Sequence, residues 1–404
     1  MDTDILIIGG GASGLAAAIS AKKAAPDCSV TVAEALDRCG KKLLATGNGR
    51  CNIMNLLASP ESYAGDRAFT ETALSVYKQR YPAFWDELGV LLAVESEGRM
   101  YPAVNQASAV LDALRLRLKD LGIDEMTGCR VTRIVKKGNG FAVSYAGGEM
   151  TCRRVILATG GKAGKGLGEN ESFRELLSPH GHTFTRLYPA LTCLKTQKGL
   201  LSGLKGVRLR GEAALYRGGT LLKSEAGEVL FQDDGLSGIA VMQLSLAAAP
   251  RIGDGELFVR LSPLGKAAHE IVARRAQSYP ERQAQQLLAG AVNRMIALNA
   301  LKRCGISPVK PAKALTEREI QALSQALEKW DIPVVAAGSF AEAQVMLGGV
   351  KTEEFDPKTM ESRKLRGLYA AGELFDVTGP CGGYNLEWAW ASGLLAGRRA
   401  VESL

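Results

Sequence analysis

The chain has 404 residues, 46% hydrophobic and 23% charged, which excludes a disordered or fibrous chain and allows two or three domains. No apolar run approaches the ~20 residues that cross a bilayer, and the opening Met1-Asp2-Thr3-Asp4 lacks a basic leader, so a cytoplasmic chain with no membrane partner is expected. The net charge of +8, from 50 basic and 42 acidic residues, reads as spread out rather than gathered into a basic arm, and no nucleic-acid partner is expected.

In chain order, Asp4-Ile5-Leu6-Ile7-Ile8 is an apolar, β-branched run that predicts a buried parallel strand. It enters Gly9-Gly10-Gly11-Ala12-Ser13-Gly14, a G-x-G-x-x-G, and then an alanine-rich helix over 15–25 stopped by Pro26. A second strand is predicted over 29–32, and Glu34 follows Gly14 by 20 residues. In such a unit Gly9 makes the tight turn, Gly11 lets the backbone approach a pyrophosphate, and Gly14 packs helix on strand. Glu34 accepts both hydrogen bonds of an adenosine ribose and disfavours a 2′-phosphate. The adenosine belongs to FAD or NAD.

Residues 68–121 read as helices, with Leu111, Leu114, Leu118 and Leu121 on one face of 107–121. Strands are predicted over 130–135 and 155–157, the latter running into Ala158-Thr159-Gly160-Gly161. From 186 to 260 the text changes to short alternating runs split by Gly211, Gly218-Gly219 and Gly227, as in a small antiparallel barrel. Residues 264–330 read as helical and 332–350 as strand-like. The expected fold class is therefore α/β. A Rossmann-type domain (1–185 and 348–404) carries an inserted antiparallel β-barrel (186–262 and 331–347), which itself carries a helical lobe (263–330). No second strand–G-x-G-x-x-G–helix unit lies between 150 and 330, and the glycines of 164–168 read as a polar loop. A dedicated NAD(P) domain is thus not expected, and either NAD(P)H docks transiently at the flavin or electrons come from another donor.

Near the C-terminus Leu368-Tyr369-Ala370-Ala371-Gly372-Glu373 repeats the strand-and-turn pattern, followed by Asp376. Gly379-Pro380-Cys381-Gly382-Gly383-Tyr384-Asn385-Leu386 then opens a helix over 387–400. This is a second anion-friendly helix N-terminus. Within one domain it and the first can face one extended ligand, one holding the pyrophosphate and the other the electron-rich edge of an isoalloxazine ring.

On these segments, together with Gly40-Lys41-Lys42-Leu43-Leu44-Ala45-Thr46-Gly47-Asn48-Gly49-Arg50-Cys51-Asn52, the chain resembles the HI0933-like family of FAD-dependent oxidoreductases over nearly its whole length. Asn48 replaces a usual glycine, and Thr46, preceded by Ala45, stands where serine is common. The resemblance implies non-covalent FAD, with Gly9, Gly11, Ala12, Ser13 and Gly14 at the pyrophosphate and Glu34 at the ribose. It places Lys42 and Arg50 as charge partners in the 41–52 loop, the Val131 backbone at adenine, and Thr159, Gly160, Gly161, Gly372 and Glu373 in the cofactor turns. Asp376 would hold the ribityl hydroxyls, and the N–H groups of Gly383, Tyr384, Asn385 and Leu386 would stabilise negative charge on the flavin.

Catalysis is less legible. A reductase of an enone needs a hydride, a donor to the carbonyl oxygen and an acid for the α-carbon. Tyr384, beside the flavin-facing loop, is the first candidate. Cys51 and Cys381 read as small packing groups, His180 and His182 as turn residues, His269 as helix surface or core, and Trp388 and Trp390 as packing. Eight cysteines without a C-x-x-C pair, and three histidines, give no metal pattern and fit thiols in a reducing compartment. The reading is a flavin ene-reductase acting on a small molecule, a 3-oxo steroid, bile acid or other enone, by the family resemblance. A peroxide-producing oxidase of a small amine such as aminoacetone is the alternative, and an RNA-acting flavoprotein a distant one.

Overall fold

Ile5, Leu6 and Ile7 have no exposed surface in the computed structural model, which describes residues 2–164, 166 and 171–404. Lys165, Leu167 and Gly168 of the 164–168 loop lie outside the described residues. The chain divides into two compact units, Met1–Pro189 with Phe340–Leu404, and Ala190–Ser339.

The first unit contains, in chain order, β1 (Thr3–Ile8), α1 (Ala12–Ala24), β2 (Val30–Ala33), α2 (Lys41–Ala45), α3 (Arg67–Glu87), α4 (Ala107–Asp120), β3 (Asp124–Met126), β4 (Val131–Lys137), β5 (Gly140–Tyr145), β6 (Gly148–Leu157), β7 (Leu368–Ala370) and α5 (Tyr384–Glu402). The sheet order is β3-β2-β1-β6-β5-β4, with β7 also on β6. β3, β2, β1, β6 and β7 pair in parallel, and β4, β5 and β6 antiparallel. The first half of β6 bonds to β5 (Gly148–Cys152) and its last turn of register to β7 (Val155–Leu157), so the strand hands the sheet from a hairpin to the C-terminal segment. Near-continuous burial along β1 and β2 is what a parallel sheet covered on both faces requires.

The expectation of helices throughout 68–121 needs correction. α3 and α4 are present, but Leu92–Val94 and Arg99–Pro102 are strands that join Met54–Asn55 in a small antiparallel sheet. Gly89 and Gly98, at φ +69° and +70°, make the turns that a helix through this stretch would forbid.

In the second unit seven strands pair antiparallel in the order Trp330–Pro333, Leu257–Leu261, Arg208–Arg217, Thr220–Gln232, Gly235–Ser237, Leu194–Lys195, Ala336–Ala337. The two edge strands are consecutive in sequence. Val334 N–H donates to the Leu257 carbonyl at 2.8 Å and Val335 N–H to the Lys195 carbonyl at 2.9 Å. Adjacent residues bonded to opposite edges require the sheet to roll into a barrel. Gly211 and Gly227 do not split their strands as expected. They face each other within one ladder, and Gly227 approaches the Ala240 side chain of a helix, Ile239–Ala248, unforeseen in a stretch read as strands. The helices Ala268–Ser278, Arg294–Arg303 and Glu317–Glu328 share one apolar core with the barrel, through Val272, Leu301 and Leu323 alongside Leu215, Val229 and Val259.

Divided by unit, the charge is not spread. Residues 190–339 carry 20 Lys and Arg against 13 Asp and Glu, leaving 30 against 29 for the rest of the 50 and 42. The second unit therefore holds +7 of the +8.

Candidate cofactor site

Gly9 takes φ +108°, and a Cβ there would lie 2.3 Å from the Ala158 carbonyl oxygen, so both the turn and the packing require glycine. A Cβ on Gly14 would sit 1.9 Å from the Gly9 oxygen, so α1 starts in contact with the β1 turn. Gly11 is different. A Cβ there meets no protein atom within 4 Å and would instead enter the cleft that runs past the N-termini of α1 and α5. The first N–H groups of both helices have no intrahelical partners, and they face one cavity of about 380 Å³ in the first unit.

At one end the cleft is lined by Glu34, Ala35, Leu36, Arg38, Arg130 and Val131. The Glu34 carboxylate accepts the Gly10 N–H at 2.7 Å and the Leu36 N–H at 2.8 Å, which fixes it with lone pairs to spare. Along the middle, Lys42 Nζ pairs with Glu373 Oε2 at 2.7 Å, and Glu373 Oε1 accepts the Met346 N–H at 3.1 Å. At the other end Asn385 closes the 379–385 loop, its Oδ1 accepting the Gly379 N–H and its Nδ2 donating to the Gly379 carbonyl, both at 2.9 Å. Asn385, Trp388 and Ala389, spaced i, i+3 and i+4, share the cleft face of α5 with Leu386 beside them.

Of the residues expected at a cofactor, Gly9, Gly11, Ala12, Ser13, Glu34, Lys42, Val131, Thr159, Gly160, Gly161, Glu373, Asn385 and Leu386 line this cleft. Gly14, Arg50, Gly372, Asp376, Gly383 and Tyr384 are not among its lining residues. Gly372 is spent inside the fold, its N–H on Ser392 Oγ and its carbonyl on Trp388 Nε1–H. Arg50 turns to Glu95 and Asn105 and stacks 4.0 Å over the Tyr101 ring. From the 372–376 turn it is Glu373 that lines the cleft. Trp388, read as packing, also lines the cleft, as do Arg38, Lys41 and Arg130, which sequence reasoning passed over. The i+3 spacing from Asn385 was the signal for Trp388.

The residues present fit a flavin dinucleotide. Two helix N-termini and four cations, Arg38, Lys41, Lys42 and Arg130, suit a diphosphate. The open position at Gly11 suits close backbone approach, and Thr159 Oγ1 lies buried beside the cleft without a protein partner. Tyr384 stands on the loop side of α5. Its carbonyl accepts the Tyr63 hydroxyl at 2.9 Å, and its ring lies near Gly382, as do Arg99 Nε and Asn55 Nδ2. Burial, and after it Glu387, pushes its phenol above the ordinary range, against the pull of Arg99. Cys51 is fully buried, with its thiol pushed up to about 12 by burial, which removes it from nucleophilic chemistry.

His182 belongs to a separate buried array. Its Nδ1 lies 2.9 Å from Glu354 Oε2, and its Nε2 lies 2.9 Å from Ser362 Oγ. Ser362 Oγ also accepts the N–H groups of Lys364 at 3.1 Å and Leu365 at 2.9 Å, so the hydroxyl orders a turn. No cluster of metal-ligating side chains exists among the described residues.

The sequence model of the HI0933-like protein Rossmann domain matches residues 3–399. A 3-dehydro-bile acid delta(4,6)-reductase of Clostridium scindens is 37% identical over 405 residues, 98% of each chain. A ribosomal RNA dihydrouridine synthase of Escherichia coli is 30% identical over 407 residues, 96% of each chain. Among solved structures, an open flavocytochrome c3 fumarate reductase superposes with a TM-score of 0.52 at 15% identity, covering 99% of this chain and 78% of that one. A quinol-fumarate reductase gives 0.52 at 18% identity, covering 99% and 71%. At such identities these two establish likeness of fold.

Proposed function

The chain belongs to the HI0933-like family of FAD-dependent oxidoreductases, and from that premise we propose that it reduces a carbon–carbon double bond conjugated to a carbonyl. The observation that carries this reading is the convergence of the α1 and α5 N-termini on one cleft that also presents Glu34, Lys42 and Glu373. Bound FAD would supply the hydride, and NAD(P)H, docking transiently, would restore it.

The chain's own residues do the rest. The N–H groups of residues 11–14 hold the pyrophosphate, Glu34 the ribose, and the backbone at Val131 the adenine. Glu373, paired with Lys42, takes the role expected of Asp376 at the ribityl chain. The first N–H groups of α5 favour negative charge at the far end of the cleft. Tyr384 donates a proton on the substrate side, with Arg99 near Gly382 to orient a carbonyl oxygen. The similarity to a bile-acid reductase favours a 3-oxo steroid-like enone as substrate.

A second reading has its own support. In uracil the C5=C6 bond is conjugated to the C4 carbonyl, so dihydrouridine formation is the same class of reaction, and two relatives at 30% and 27% identity are named ribosomal RNA dihydrouridine synthases. The +7 on the second unit favours a polyanionic substrate.

Anaerobic titration of the FAD-loaded protein with NADH and NADPH, read by flavin absorbance, tests the common reaction, followed by reoxidation with 3-oxo-steroid enones and with unmodified ribosomal RNA. Stoichiometric bleaching and reoxidation by one substrate class faster than by oxygen are expected. Tyr384→Phe should slow that reoxidation by about 10²-fold or more while leaving bleaching by NAD(P)H intact. Bleaching only by amines, with peroxide released, would overturn the reductase reading.

A further inference from the structure

We infer that the helical segment 263–330 of the second unit is a docking surface for single-stranded RNA, built around an exposed Arg282–Tyr279 pair and the cleft beside Arg294. The inference rests on the second reading above and assigns the part of the chain that meets the RNA. Residues 263–330 hold 11 Lys and Arg against 5 Asp and Glu, so this stretch alone carries +6. Four of the five carboxylates already face a cation, as Glu270–Arg274, Glu281–Lys313, Glu319–Lys310 and Glu328–Lys329. The surplus is thus borne by cations with no carboxylate within 4.0 Å, Arg282 and Arg294 among them.

These cations stand beside groups that suit bases. Tyr279 is 43% exposed, with the Arg282 guanidinium 3.7 Å over its ring, an arrangement on which an unpaired base can stack. A cavity of about 410 Å³ is lined by Gln285, Gln286 and Arg294, and otherwise by glycine and apolar side chains. No carboxylate lines it. Gln286 Oε1 accepts the Gln283 N–H at 2.9 Å and Gln285 Nε2 donates to Gln283 Oε1 at 2.7 Å, which leaves Gln285 Oε1 to accept from and Gln286 Nε2 to donate to a base edge, while the exposed Arg294 matches a phosphate. Arg275 donates to the Leu287 and Ala289 carbonyls at 2.8 and 2.9 Å, which sets the 287–290 wall of that cavity.

An anionic membrane is the less suitable partner. The large hydrophobic residues exposed in this segment are Tyr279, Met295 and Val309, too few and too scattered for an amphipathic membrane face.

The test uses the full-length, FAD-loaded protein, a fluorescein-labelled single-stranded RNA of about 16 nucleotides, and anisotropy across roughly 50–200 mM KCl. Wild type should bind with affinity that falls steeply with salt. Arg282→Glu with Arg294→Glu should weaken binding at least ~tenfold and flatten the log–log salt slope by about 1.4, the value for two phosphates on a single strand. A matched reversal on the first unit, Lys119→Glu with Lys137→Glu, should leave binding within about twofold. Flavin content and melting temperature establish folding, and Arg282→Gln with Arg294→Gln replaces the reversal if that variant does not fold.

Wild-type affinity in the lobe variants overturns the assignment. If those variants still form dihydrouridine on ribosomal RNA, the second reading survives that failure. Failure of wild type to bind RNA at the lowest salt overturns the assignment, and absence of dihydrouridine formation by wild type separately ends the reading. Loss of binding to phosphatidylglycerol vesicles, with RNA binding unchanged, overturns it in favour of a membrane.

Discussion

Glu387, in the first turn of α5, has no exposed surface, and burial pushes its carboxyl up to about 7. Its Oε2 accepts the Asn55 N–H at 3.1 Å, its Oε1 has no partner, and Lys78 opposes the shift from α3. Tyr63, Tyr77 and Tyr384 are the other titratable groups coupled to it. The unfolded chain ionises this group near the ordinary 4.5 and the folded chain only near 7. Its contribution is therefore fully present at low pH and lost as pH rises from about 4.5 through 7, a loss of order 3 kcal/mol. Glu387→Gln keeps the shape and removes the charge. Denaturant titrations at pH 5 and pH 8 should show the variant gaining on wild type by about that amount at the higher pH. An unchanged gap would mean that Glu387 titrates normally. Glu354 works in the opposite sense. Burial alone would raise its carboxyl, but hydrogen bonds from Lys364, Thr183 and His182 hold it at about 2. None of this was legible in the sequence, where Glu387 is only the first residue of a predicted helix. Burial comes from Asn55 and from α3, some 300 positions away.

α1 and α5 aim their N-termini at the same cleft because they touch along small residues. A Cβ on Gly393 would lie 2.3 Å from the Ser13 carbonyl oxygen, and one on Gly397 would lie 2.2 Å from that of Ala17. The neighbour is backbone in both cases and has no rotamer to move. Gly397→Ala gains up to ~1 kcal/mol of helix propensity, yet forcing the helices apart costs about 1–3 kcal/mol. A net loss of stability is expected, with weaker FAD retention on gel filtration, since the two N-termini separate. Retained FAD and a raised melting temperature would show that the contact is not set by these glycines. Elements of this kind were readable from sequence where strand, glycines and helix are contiguous, as over 4–25 and 368–400. Reading failed where partners are distant. The strands at 92–102 form on Met54–Asn55, the helix at 239–248 lies in a stretch that reads as β text, and Gly211 pairs with Gly227 inside one continuous ladder.

At the scale of the whole molecule the same limit applies to charge, since +8 over 404 residues looks unremarkable until 190–339 is known to fold as one unit. Two apolar cores follow the same division. One includes Ile5, Leu157 and Trp390, the other Leu215, Val259 and Trp330. Every residue lining the cofactor cleft belongs to the first unit. Cofactor binding should therefore stabilise that unit, by about 2.7 kcal/mol at a hundredfold excess over Kd. Trp330 is 2% exposed and stacks on Phe231 with centroids 5.4 Å apart, so Trp330→Phe leaves a void in the second core alone. Calorimetry should then resolve two transitions in the cofactor-free protein. Added FAD should raise one of them and leave the other, while Trp330→Phe should lower the one that FAD does not move. A single transition displaced by both treatments would mean that the cores unfold together, and that charge and cofactor are borne by one cooperative body.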